Sequence, residues 1–165
     1  MYARLDQAYR AQMTYFFPRV EQVGQTWVDS FRRTLGRFSV LYLAELDGQV
    51  LGFVLGRVKR VAPYLGGVLV GEISEVWVEP PLRRRGVARE LVQRANAWLY
   101  AQGVHSVEAQ VLSGNQASLD FFRSLGFQVE LQQVRLLAQA PPVARPFTAG
   151  TPINPPQSEE GQDRA

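Results

Sequence analysis

The sequence predicts an α+β fold built on one mixed, mostly antiparallel sheet. Asp47-Gly48 stands between two apolar runs, Ser39 to Leu46 and Gln49 to Arg60, which is a two-residue hairpin signal. A third run, Val68 to Val78, follows the turn Ala62-Pro63-Tyr64-Leu65-Gly66-Gly67, so three strands make an antiparallel meander. The stretch Ala88 to Tyr100 reads as an amphipathic helix that leads to a fourth run, Val104 to Leu112. A helix crossing between neighbouring strands makes those strands parallel.

The remaining elements follow from periodicity. Tyr2 to about Met13 carries Leu5, Tyr9 and Met13 at helical spacing, and Tyr15-Phe16-Phe17-Pro18 breaks it. Gln22 to Leu35 places Val23, Trp27, Phe31 and Leu35 on one stripe, with Gly36 as a C-cap. Leu91, Ala95, Trp98 and Leu99 form the buried stripe of the crossover helix, which Gly103 stops. Asn115 to Ser124 is a shorter helix, and Gln128 to Leu137 reads as a last strand. Residues 1–138 make one domain, the default at 165 residues, a length that buries about two-thirds of the unfolded surface. Residues 139–165 are rich in proline and end in charge, a tail too polar to pack as helix or sheet.

Composition narrows the function. Hydrophobic residues make up 46% of the chain, yet no apolar run approaches the roughly 20 residues of a membrane span. The first residues lack the apolar core of a signal peptide, and cysteine is absent, which removes disulfides, thiol chemistry and cysteine metal sites. A cytoplasmic protein is the simplest expectation. The net charge of +3 is almost all arginine, Lys59 being the only lysine. Its one basic block is Arg83-Arg84-Arg85, which has a local explanation, so nucleic acid is not expected as a partner.

That explanation lies in the stretch from Gly71 to Glu90. A strand ends at Pro80-Pro81, a basic turn holds Gly86, and a helix starts at Ala88. Free backbone N–H groups and the positive end of a helix dipole meet there, an arrangement that binds phosphate. Arginines at a helix N-terminus oppose the dipole, which suggests a bound anion rather than a solvated basic turn. Neither dinucleotide-fold nor P-loop spacing is present.

Arg83-x-x-Gly86-x-Ala88 resembles the Gln/Arg-x-x-Gly-x-Gly/Ala signature of the GNAT superfamily of N-acetyltransferases. A second segment, Asn115 to Phe127, is similar to the family's Asn-x-x-Ala-x-x-x-Tyr-x-x-x-Gly-Phe. Asn115, Gly126 and Phe127 match in register; Ser118 replaces the alanine and Phe122 the tyrosine. The resemblance covers about Leu41 to Leu137. It implies a GNAT-like fold, a twisted sheet with helices on both faces, although the family usually opens with a strand where this chain opens with a helix.

The resemblance also implies direct transfer of an acetyl group from acetyl-CoA to an amine, with no metal. On it, a bulge in the third strand frees main-chain groups of Val76, Trp77 and Val78 for the pantetheine arm. Arg83, Arg84, Arg85, Gly86, Val87, Ala88 and Arg89 hold the pyrophosphate, with Gly86 allowing close backbone approach. Asn115, Ser118 and Phe122 complete the cofactor-binding set, Asn115 being equally a helix N-cap. Glu75 or Glu72 is the base; three apart in a regular strand, they would point to opposite faces, so one alone could serve. Either glutamate could instead be a structural ion-pair partner. Phe122 has no proton to give a leaving thiolate, which keeps open a non-catalytic acyl-CoA-binding module, and beyond it an interaction domain with a degenerate cofactor site. His105 reads as a surface residue, Trp27, Trp77 and Trp98 as core or pocket lining, and Tyr64 as loop packing or acceptor-site lining. By analogy of fold a homodimer is compatible. The acceptor amine is not legible.

Overall fold

A computed structural model describes residues 1–13 and 18–135. The chain divides into two units, Met1–Leu131 and Gln132–Ala165. Of the second, only residues 132–135 are described, and they carry no regular secondary structure. The expected tail over 139–165 and the aromatic break at 15–17 lie outside the described residues.

The first unit opens with helices α1 (Tyr2–Gln12) and α2 (Val23–Phe31). Strands β1 (Ser39–Leu46), β2 (Gln49–Arg60) and β3 (Leu69–Val78) follow, then helix α3 (Val87–Ala101), strand β4 (Ser106–Ala109) and helix α4 (Gln116–Arg123). Among the described residues the sheet is four-stranded in the order β1-β2-β3-β4. Its first two pairings are antiparallel and the β3–β4 pairing is parallel, as the crossover through α3 requires. Asp47 and Gly48 both take positive φ at the hairpin tip.

Helices cover both faces. Leu91, Val92, Ala95 and Leu99 of α3 pack on Val54, Ile73 and Val78, and α4 adds Phe122 to the same cluster. Close approach of α3 needs small residues beneath it. A Cβ on Gly71 would lie 3.0 Å from Leu99 Cδ1 and 3.2 Å from Val107 Cγ2. On the opposite face Trp27 of α2 packs against Phe53 of β2 (5.1 Å between centroids), stacks on Tyr2 (4.5 Å) and meets Phe31 edge-on (4.8 Å).

Three expectations fail at element ends. The second helix stops at Phe31, short of Leu35, because Thr34 bends the chain. Its hydroxyl donates to the Phe31 carbonyl (2.9 Å), and its own carbonyl collects the N–H groups of Arg37, Phe38 and Ser39. Arg32 is therefore the C-cap, and Gly36 lies in the turn beyond. The fourth strand ends at Ala109, short of Leu112, because its partner leaves it there. The strand expected over Gln128 to Leu137 is absent from 128–135, and 136–137 lie outside the described residues. Val129, Leu131 and Val134 stay exposed, and no strand among the described residues supplies this segment with a hydrogen-bond ladder.

Candidate active site

The site begins with one extra residue. In the β2–β3 ladder Gly56 faces Ile73 and Leu55 faces Glu75, so Ser74 is left over as a β-bulge. The parallel β3–β4 ladder runs from Val70 opposite Ser106 to Ile73 opposite Ala109 and goes no further. From Glu75 to Val78, β3 keeps its β2 partner while its other edge has no strand beside it among the described residues. A cleft of about 530 Å³ opens there, between Ser74, Val76, Trp77 and Val78 on one side and Gln110, Val111 and Leu112 on the other.

At one end the cleft meets the start of α3. Gly86 is the N-cap at φ 83°, and no side chain caps the first turn. Arg84 is also in the left-handed region (φ 64°), a conformation that is unfavourable for a residue with a Cβ. The N–H groups of Val87, Ala88 and Arg89 are the orphan donors of the helix start, and all three residues line the cleft. A Cβ on Gly86 would meet nothing within 4 Å among the described residues, so there the glycine is required by its φ and not by crowding. Arg83 is fastened to the strand: its Nε donates to the Val78 carbonyl at 3.0 Å, and its guanidinium lies 4.7 Å from the Trp77 ring centroid.

Helix α4 supplies the far wall. The Asn115 side chain caps it, accepting from the Ser118 N–H at 3.1 Å, so the capping role is realised. Phe122 is only 6% exposed, packed edge-on against Phe121 (5.2 Å) and Phe127 (5.1 Å), with one side lining the cleft. Across the rim, Arg89 of α3 donates to Ser124 Oγ at 3.0 Å.

The two glutamates differ from expectation in placement. Because Ser74 is inserted between them, Glu72 faces Arg57 and Glu75 faces Leu55, two positions of β2 that share a face. They therefore point to the same side, away from Val76 and Val78, which correlates with Glu72 raising the Glu75 pKa. Glu72 is held by Lys59 (2.8 Å) and by the Ser74 hydroxyl (3.0 Å), and Lys59 also reaches Glu108 (2.6 Å). Glu75 lies deeper. Burial pushes its carboxyl pKa up, against the opposing pull of Arg57 and Trp27. Glu75 Oε2, Arg57 Nε and Trp27 Nε1 are all buried without a completed hydrogen bond among the described residues.

Of the expected cofactor-binding residues, Val76, Trp77, Val78, Arg83, Arg84, Gly86, Val87, Ala88, Arg89, Asn115, Ser118 and Phe122 line this one cleft; Arg85 does not. Neither glutamate lines it. His105 is exposed, Trp98 packs on the core, and Tyr64 is 86% exposed. The sequence reading named no residue of α1 for the site. Leu5, Ala8, Tyr9 and Gln12 face the cleft at i, i+3, i+4 and i+7. That stripe was visible as a helical period, but nothing in it told a site from a core. Burial pushes the Tyr9 hydroxyl up to about 12, with further upward contributions from Glu75 and Tyr2. Arg4 ties the helix to the end of β3 through Glu79 (2.7 Å).

Comparison with known proteins gives a concordant picture. The model of the acetyltransferase (GNAT) family matches residues 4–127. An L-methionine sulfoximine/L-methionine sulfone acetyltransferase of Pseudomonas aeruginosa is 30% identical over 109 residues, 66% of this chain and 60% of that protein. A mycothiol acetyltransferase of Amycolatopsis mediterranei is 33% identical over 87 residues, 52% of this chain but 29% of that protein. The matches thus span under two-thirds of these relatives' length. Among solved structures, the aminoglycoside 6'-N-acetyltransferase AAC(6')-IG of Acinetobacter haemolyticus superposes with a TM-score of 0.62 at 21% identity, covering 74% of this chain and 84% of that one. AAC(6')-Iy, solved with the bisubstrate analogue CoA-S-monomethyl-acetylneamine, gives 0.62 at 18% identity, covering 79% and 87%. At these identities the structures share the fold.

Proposed function

Because the chain belongs to the acetyltransferase (GNAT) family, we propose that it transfers the acetyl group of acetyl-CoA to the amine of an acceptor. The observation that carries this is the splay of β3 from β4 at Ser74, which leaves a strand edge open beside the uncapped start of α3. The free edge of Val76, Trp77 and Val78 suits an extended, amide-bearing arm. The turn from Arg84 to Arg89 suits a pyrophosphate, through backbone N–H groups and the helix dipole. Arg83 serves by holding that turn against the strand end; Arg84 and Arg85, both exposed, add positive charge. Asn115, Ser118 and Phe122 form the wall opposite.

The amine must lose a proton to attack. Glu75 is the base in this reading, acting through water because its side chain does not itself line the cleft; burial raises its pKa above the usual carboxylate value, which strengthens it as a proton acceptor. Glu72, clasped by Lys59, holds the bulge and tunes Glu75 by its charge. One relative is named for methionine analogues, another for mycothiol, and two structural neighbours for aminoglycosides, so amino-acid analogues and aminoglycosides both belong in an acceptor panel. A non-catalytic acyl-CoA-binding module is the second reading, favoured by Phe122, which offers no hydroxyl.

The test is calorimetric binding of coenzyme A, followed by free-thiol release from acetyl-CoA across amines of both classes. Binding with amine-dependent release is expected, and Glu75→Gln should lower the rate with binding kept. Absence of coenzyme A binding overturns both readings; binding without release on any amine favours the module.

A further inference from the structure

We propose that the acid for this transfer is the Tyr9 hydroxyl, delivered from α1 across the cleft. The inference rests on the acetyl-transfer reading above. In that reaction the nitrogen lone pair forms a C–N bond at the thioester carbonyl. The C–S bond breaks with its electron pair going to sulfur. One proton must leave nitrogen and one must reach sulfur.

Among the residues lining the cleft, Tyr9, Ser74, Ser118 and Ser124 carry hydroxyls. Two are engaged: Ser74 Oγ donates to Glu72 Oε2 (3.0 Å), and Ser124 Oγ donates to the Phe121 carbonyl (2.7 Å) while accepting from Arg89 (3.0 Å). Ser118 is an aliphatic alcohol, a far weaker acid than a phenol. Tyr9 combines a phenol, a place on the α1 stripe that faces the open edge of β3, and proximity to the charge of Glu75. Its pKa lies above that of a free phenol, so it holds a proton at neutral pH and parts with it only as strong negative charge develops on sulfur, the neighbouring Glu75 carboxyl returning one.

The proton cycle closes between the two residues. Glu75 takes a proton from nitrogen, Tyr9 gives its proton to the thiolate, and the phenolate recovers one from the Glu75 carboxyl. The net result is transfer of a proton from nitrogen to sulfur, with both side chains restored. Phe122, on the opposite wall, is then free to be a packing residue.

The deciding measurement compares Tyr9→Phe with the unaltered protein using acetyl-CoA and its selenium analogue. A selenolate is a much weaker base and leaves without a proton. With acetyl-CoA, kcat is expected to fall roughly 10²-fold or more at unchanged acetyl-CoA affinity. With the selenium analogue the deficit should vanish. Ser118→Ala should show no donor dependence, and Tyr9→Leu should repeat that of Tyr9→Phe. If the unaltered protein transfers from neither donor, the acetyl-transfer reading falls and this inference with it. If the unaltered protein is active and Tyr9→Phe is equally active, or equally slow with both donors, only the role of Tyr9 is overturned.

Discussion

Gly86 permits a sharp test, because two reasons for a glycine there predict opposite orders of variants. A residue at φ 83° with a Cβ costs about 1–2 kcal/mol over glycine. No atom within 4 Å of the added Cβ contributes a steric penalty. Gly86→Ala should therefore destabilise by about 1–2 kcal/mol, which for a chain of this size lowers Tm by roughly 2–8 °C. Asparagine tolerates the left-handed region better than alanine, so Gly86→Asn should lose less stability despite its larger side chain. Coenzyme A affinity should follow the same order, since what the ligand needs is the turn that presents the N–H groups of Val87, Ala88 and Arg89. Thermal melts and calorimetric titration of the three proteins decide it. If Gly86→Asn binds coenzyme A more weakly than Gly86→Ala while melting higher, ligand crowding and not backbone conformation is the reason for the glycine.

Glu72→Gln removes a charge that raises the Glu75 pKa, so the acid limb of the pH profile of kcat/KM should move to lower pH. The sign follows from the base acting when deprotonated; a shift to higher pH would contradict the assignment. The raised Glu75 pKa also bears on folding: its contribution favours the folded state at low pH and is lost as pH rises through the folded-state value. Glu75→Gln should therefore flatten the dependence of stability on pH over that range, measured by chemical denaturation at several pH values. Arg83→Ala gives up the hydrogen bond to the Val78 carbonyl and should cost about 1.5–3 kcal/mol, with weaker coenzyme A binding; Arg83→Gln, still able to donate, should recover part of both.

The elements legible in the sequence were those whose signals are local. Asp47-Gly48 set the hairpin and hence the β1–β2 bounds, and the Pro-Pro stop with Gly86 placed the α3 turn. The bulge at Ser74 was not legible as a position. Glu72, Ile73, Ser74 and Glu75 read as a regular strand, and an extra residue shows only when the partner strand is aligned beside it. From that omission came the misplacement of the two glutamates on opposite faces and the overlong fourth strand. The α1 period of Leu5, Tyr9 and Met13 marked a helix but named no cleft residue, since a helical period looks the same whether it faces a core or a cleft.

Ser74 also separates the integrity of the sheet from the opening within it. Without that residue Glu75 would follow Ile73 directly, and every side chain of β3 would keep its face: Val76 and Val78 toward α3, Glu75 and Trp77 toward α1 and α2. The hydrophobic core would be unchanged in composition. The strand would no longer turn away at Ile73, and the ladder with β4 could run on toward Gln110, Val111 and Leu112, closing the gap. A chain shortened by this single residue should fold and yet have no room for a cofactor. The cavity is thus an interruption of pairing, encoded by length at one point and not by the identity of the residues that line it.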